Sequence, residues 1–205
     1  MRLRGRPTLQ TLVAIGLVFL LQQVSGPLGL DGYALFVLDP TVAARPWAAI
    51  TNIYAHASPG HLFANAVALA LAGPLVSWRT SVTRFHAFFV GVGAVAGLAE
   101  VFLGTLVGPP TAVVGASGAI FGLFGYLLTG NSVTAGVFDR LNLSRRGQLL
   151  LLLGIAVLVT LATASPRAAL IGHAVGFLCG LVAGRTRLLD LTPRNQSVPG
   201  VGSRR

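Results

Sequence analysis

Hydrophobic positions gather into six runs, at residues 9–24, 61–76, 85–106, 117–129, 149–164 and 168–184, with polar or arginine-containing stretches between them. None alternates apolar and polar residues with a period of two, so the strands of a membrane β-barrel are not expected. Runs of this length predict membrane helices, although several fall short of the ~20 residues that span a bilayer. The fourth is the shortest, and a short helix leaves its end in a water-accessible cavity rather than in lipid. No run repeats another closely. The pattern predicts an all-α membrane protein, a six-helix bundle over residues 9–185. A cytoplasmic segment (1–8) precedes the bundle, and a cytoplasmic tail (186–205), read as disordered, follows it. From Thr192 that tail is rich in Pro, Gly, Ser and Arg and reads as disordered.

The long first loop, residues 25–60, holds Tyr33, Phe36, Trp47, Ile50, Ile53 and Tyr54 among polar residues. That mixture fits an element lying in the membrane interface, with aromatics at headgroup level. It fits an ordinary packed loop equally well. The first run also has a second reading. Basic residues, a short apolar core and the small residues Ser25 and Gly26 resemble a cleaved signal peptide.

Charge adds a direction. Only 10% of the 205 residues are charged and 54% are hydrophobic, a balance far from that of a soluble domain. All fifteen basic residues are arginine. The formal charge of +10 invites a nucleic-acid reading, but the arginines form no stripe or aromatic-interleaved patch, so no nucleic-acid partner is expected. Instead Arg2, Arg4 and Arg6 precede the first run, Arg79 and Arg84 follow the second, and Arg140, Arg145 and Arg146 follow the fourth. Arg185, Arg187, Arg194, Arg204 and Arg205 follow the sixth, leaving only Arg45 and Arg167 on the other side. The positive-inside rule then places both termini in the cytoplasm of a multi-pass protein of the cell membrane. Cys179 is the single cysteine, so no internal disulfide forms, and within an apolar run it reads as a space-filler.

Four polar residues stand out at the starts of apolar runs. Given the topology, runs two, four and six all pass from outside to inside, and His61, Ser117 and His173 lie at or near their outer starts. Asn65 follows His61 by four residues, on the same helix face and ~6 Å further along the axis. Glycines four apart, Gly118 and Gly122 on run four and Gly172, Gly176, Gly180 and Gly184 on run six, allow close backbone approach. Packing these stripes together brings the Ser117 hydroxyl to the His173 imidazole. A serine becomes a useful nucleophile when a base takes its proton, and a neutral histidine does so near neutral pH. The tetrahedral intermediate then needs donors for its oxyanion. The backbone N–H of Ser117 at a helix start and the side chains of His61 and Asn65 are candidates. No aspartate holds a comparable position, so a Ser–His dyad is more natural than a triad.

Three motifs in order carry a family resemblance: His56-x4-His61-x3-Asn65, then Gly115-Ala116-Ser117-Gly118, then Gly172-His173-x-x-Gly176-x-x-x-Gly180. Together, over about residues 43–184, they resemble the rhomboid family of intramembrane serine proteases. The resemblance implies that Ser117 is the nucleophile and His173 its base. It implies that His61 and Asn65, with Gly115 nearby, form the oxyanion- and substrate-binding region. It places Phe121, where a tyrosine is common, against the base, and gives His56 a supporting role. It also implies no cofactor, and single-span membrane proteins in the lipid bilayer as substrates. Two departures accompany it. The Trp-Arg pair common in the first loop is replaced by Arg45-Pro46-Trp47-Ala48, which puts that loop's anchoring contacts in doubt, and a glutamate common near the inner end of the second helix is replaced by Ser77.

Other readings remain for the same residues. Small serines in membrane helices commonly serve packing, and membrane histidines commonly bond a neighbouring helix. Zinc held by His56, His61 and His173 lacks a His-Glu-x-x-His or paired-cysteine pattern. A non-catalytic rhomboid-like protein that binds membrane clients would need neither Ser117 nor His173. A transporter would place its ionisable groups at mid-membrane depth. Glu100, near the outer end of run three, reads as a structural hydrogen-bond partner or as a residue touching the cavity, and has no catalytic assignment.

Overall fold

The computed structural model describes residues 6–25, 27–78, 80–106, 108–109, 112–130, 170–190 and scattered positions between 140 and 154. Among the described residues the chain is all-helical, with one isolated bridge between Leu38 and Val113 and no strand. Seven α-helices are named here in chain order: α1 (Arg6–Ser25), α2 (Gly32–Phe36), α3 (Ala48–Thr51), α4 (Pro59–Ser77), α5 (Val82–Leu103), α6 (Ser117–Gly130) and α7 (Leu170–Arg185). A 3-10 turn, Gly104–Leu106, extends α5. Arg6–Ser25, Pro59–Ser77 and Val82–Leu106 are long and apolar enough to cross a membrane. The fifth apolar run, residues 149–164, lies almost wholly outside the described residues, as do residues 1–5 and the tail from residue 191.

Helix starts follow from capping rather than from where the apolar runs begin. Ser58 is extended and its Oγ accepts the His61 N–H at 3.1 Å, with Pro59 pre-set for the first turn. That starts α4 two residues before its apolar run. Ser81 does the same for α5 by accepting the Arg84 N–H at 3.2 Å. Helix α6, at 14 residues, is only ~21 Å long and is buried around most of its circumference. It is the central post, packed by α4, α5 and α7. Phe85, Phe89, Phe124 and Tyr126 fill the space around it. By contrast α1 turns Leu9, Val13, Leu17, Leu20 and Leu21 outward, as a helix facing lipid would.

The glycine stripes meet, with one difference in register. A methyl on Gly176 would strike the Gly118 carbonyl oxygen, and one on Gly180 the Gly122 carbonyl oxygen, so α6 and α7 touch backbone to backbone. Gly125 and Gly130 join this seam, against Phe177 and Gly184. Gly172 leaves it. Its α-carbon faces α5, where a methyl would lie 2.9 Å from the Ala96 carbonyl oxygen.

The first loop is pinned at several points. Arg45 pairs with Asp39 at 2.6 Å, Trp47 Nε1–H donates to the Ala34 carbonyl at 3.3 Å, and Thr51 Oγ1–H donates to the Leu35 carbonyl at 2.7 Å. These bonds anchor the rearranged Arg45-Pro46-Trp47 segment. Leu28, Leu35, Trp47 and Ile50 remain exposed on its outer side, a surface suited to the membrane interface. Ser77 accepts from the Thr8 hydroxyl at 3.4 Å, joining α4 to α1. Residues 186–190, assigned to the tail on sequence, pack under the bundle: Leu189 is buried and Tyr126 O–H donates to Asp190 Oδ1 at 3.0 Å.

Candidate active site

Gly115 turns the chain into α6 with φ +129°, a conformation that L side chains rarely adopt. Its N–H donates to the Asn52 carbonyl at 2.8 Å, so the first loop holds the turn. A methyl at Gly115 would lie 2.7 Å from Cε1 and Nε2 of His61, so this backbone runs directly against the His61 ring. Two residues later Ser117 opens α6. Its Oγ lies 2.8 Å from His173 Nε2, and both side chains are buried. With the ring proton on Nδ1, the serine O–H donates to Nε2. One turn below, Phe121 stacks on the His173 ring, centroids 4.2 Å apart and planes 8° from parallel. The stack fixes the imidazole plane while leaving its edge toward the serine.

On the other side of Gly115 stand the two polar groups of α4. His61 Nδ1 faces the Ala57 N–H at 3.5 Å, an acceptor role that puts the ring proton on Nε2. That Nε2 is buried with no hydrogen-bond partner, beside Gly115. Asn65 is fully buried. Its Nδ2 donates one hydrogen to the His61 carbonyl at 3.1 Å, and a methyl at Gly115 would lie 3.8 Å from the same nitrogen. Buried donors without partners cost free energy unless something polar arrives to accept from them.

His56 lies outside the helices, behind His61. Its Nδ1–H donates to the Tyr54 carbonyl at 3.2 Å, its backbone N–H donates to Gln22 Oε1 at 2.9 Å, and its ring meets His61 edge-on at 5.0 Å. Burial first, and the neighbouring His61 second, push its pKa down to about 3 against the opposing pull of the Tyr54 carbonyl. His56 is therefore neutral at ordinary pH and supports His61 as an uncharged wedge. Among the described residues no three His, Cys, Asp or Glu side chains converge as metal ligands would.

A small cleft lies beside the serine, lined among others by Asn52, Gly97, Glu100, Gly115, Ser117 and His173. Two of its walls were legible only in part or not at all. Asn52 lies in a loop with no motif around it, and only the fold brings its carbonyl to Gly115. Glu100 stands out in sequence as a carboxylate in an apolar run, but nothing there names its partner.

The family profile described as the Rhomboid domain matches residues 43–189, well over half of the chain. The chain belongs to the rhomboid family. A Bacillus subtilis (strain 168) protein named "Putative rhomboid protease YdcA" is 38% identical over 84 residues, 40% of this chain and 40% of that relative. The chain thus spans well under half of that relative's length in the match. Family membership points to intramembrane serine proteolysis and, with the three membrane-length helices, to an integral membrane protein. In this rhomboid the eleven residues matched to sequence motifs, from His56 to Gly180, lie on three helices and the loops that start them.

Proposed function

We propose that this rhomboid is an intramembrane serine protease. It hydrolyses a peptide bond in or near the transmembrane segment of single-span membrane proteins with a dyad of Ser117 and His173. The observation that carries the reading is the 2.8 Å contact between the Ser117 hydroxyl and His173 Nε2. Six membrane helices with both termini in the cytoplasm belong to the same proposal, supported by the arginine distribution. The substrate helix must unwind locally, because its own hydrogen bonds shield its peptide groups.

In the first step Ser117 Oγ passes its proton to His173 Nε2 and attacks the scissile carbonyl carbon. The carbonyl π bond becomes an oxyanion, which takes hydrogen bonds from the His61 Nε2–H, the free Asn65 Nδ2–H and the Ser117 backbone N–H. The imidazolium then gives its proton to the leaving amine as the C–N bond breaks, leaving an acyl ester on Ser117. Water from the cavity loses a proton to His173 and attacks the ester. Collapse releases the carboxylate product and returns the proton to Ser117. The Phe121 stack keeps the ring in one plane through both transfers.

Incubating the purified protein with a single-span test substrate, alongside Ser117→Ala, tests the reading. Wild type yields two fragments and the variant none. Equal cleavage by both, or binding of the substrate without any cleavage, replaces the protease by another role.

A further inference from the structure

Glu100 is the only glutamate of the chain and sits inside a membrane-length helix, 3% exposed. Burying a carboxylate there is costly unless it is hydrogen-bonded. Its Oε2 accepts the backbone N–H of Gly172 at 2.7 Å. Gly172 is the third residue of α7, so its N–H has no carbonyl one turn earlier within the helix to donate to. The bond therefore caps α7 from a different helix, and the carboxylate also meets the positive end of that helix. The two backbones come close enough because residue 172 has no side chain: a methyl there would lie 2.9 Å from the Ala96 carbonyl oxygen and 3.3 Å from Glu100 Cβ.

The residue after Gly172 is His173. We infer that Glu100 is a positioning residue for the proposed base: by fastening the Gly172 amide, it sets the height and rotation of α7 at which His173 Nε2 meets the Ser117 hydroxyl. The inference rests on the protease reading for its catalytic consequence, though not for the fastening itself. Among the described residues, three contacts besides the Ser117–His173 bond help hold the first turns of α7. Phe121 stacks on the His173 ring, Gly176 abuts the Gly118 carbonyl, and Glu100 holds the Gly172 N–H. The first fixes the ring plane and the second the lateral distance to α6. Only the third ties the helix start to α5 by a hydrogen bond. Misplacing a reacting group by ~1 Å costs ~100-fold in rate, so loosening this tie should be read in turnover rather than in substrate affinity.

The test compares Glu100→Leu, which keeps size but has no acceptor, with Glu100→Gln, which keeps one carbonyl oxygen. Three quantities are read in detergent: exchange of the Gly172 amide by NMR, the rate at which a fluorophosphonate labels Ser117, and kcat and KM on a single-span substrate. In Glu100→Leu the Gly172 amide exchanges at least ~10-fold faster than in wild type, and labelling and kcat fall by ~10–100-fold at nearly constant KM. Glu100→Gln recovers most of both. Should Glu100→Leu fail to fold, Glu100→Asp, one methylene short of Gly172, carries the same comparison at smaller amplitude. Unchanged Gly172 exchange in the leucine variant, or lost activity with a protected Gly172 amide, overturns the inference. Faster Gly172 exchange in a protein whose wild type neither labels nor cleaves keeps the fastening and removes the protease reading instead.

Discussion

Replacing Asn65 by alanine separates an oxyanion donor from a packing residue. The side chain is fully buried and makes one hydrogen bond, Nδ2–H to the His61 carbonyl at 3.1 Å. That carbonyl is four residues earlier in the same helix, so the backbone N–H of residue 65 satisfies it in the variant as well. The lost side-chain bond is worth about 1 kcal/mol, and the small void left behind costs a similar amount. Against this, Asn65 Oδ1 is a buried acceptor without a partner, and its removal returns about 1–3 kcal/mol. The terms nearly cancel, so thermal stability should change by no more than about 1 kcal/mol. In the transition state the balance differs, because a donor aimed at the developing charge is lost. That costs about 10²–10³ in rate, or ~3–4 kcal/mol. Steady-state cleavage of a single-span substrate should show the loss in kcat with KM little changed, since the charge does not exist in the bound ground state. An Asn65→Ala protein that retains full kcat, or that unfolds, refutes the reasoning and leaves His61 and the Ser117 N–H as the donors.

Three further outcomes are expected. Gly180→Ala should destabilise the bundle by about 1–3 kcal/mol in a thermal melt, because its methyl meets the Gly122 carbonyl oxygen, whereas Gly16→Ala on α1 meets nothing within 4 Å and should be neutral or slightly stabilising. His56 binds its proton only near pH 3 when folded but near 6.5 when unfolded, so the unfolded state holds more protons between those values. Stability should therefore fall as pH drops through that window, by up to ~1.4 kcal/mol per unit from this residue, and His56→Gln should flatten the slope of Tm against pH. A reporter fused after Arg205 should read cytoplasmic and a tag within residues 27–31 external. The reverse pair of signals contradicts the arginine argument.

Much of the helix layout was legible because membrane helices announce themselves by composition. The start of α6 at Ser117 and the seam between its glycines and those of α7 followed from spacing alone. The seam's upper end was misread at Gly172. The four-residue spacing continues through it, but the Gly172 α-carbon faces Ala96 and Glu100 of α5, and no pattern in one helix reveals a third. Helix starts at Pro59 and Val82 lay outside the apolar runs because serine caps, not hydrophobicity, set them. The bonds that close the site, Asn52 to Gly115 and Glu100 to Gly172, join residues 63 and 72 apart through a carbonyl or an amide that every residue carries. Identity at Asn52, Gly115 and Gly172 therefore says little, and the Glu100 carboxylate, though conspicuous, does not name the amide it holds. The docked turn ending at Asp190 escaped for a similar reason, since a short segment has no periodicity to read.

The most direct test of the central claim is mass-spectrometric mapping of the site at which a fluorophosphonate attaches to the purified protein. One adduct is expected, on Ser117, formed quickly in wild type and at least ~100-fold more slowly in His173→Ala, which lacks the base 2.8 Å away. An adduct on another residue, or equal labelling of Ser117 without His173, contradicts it.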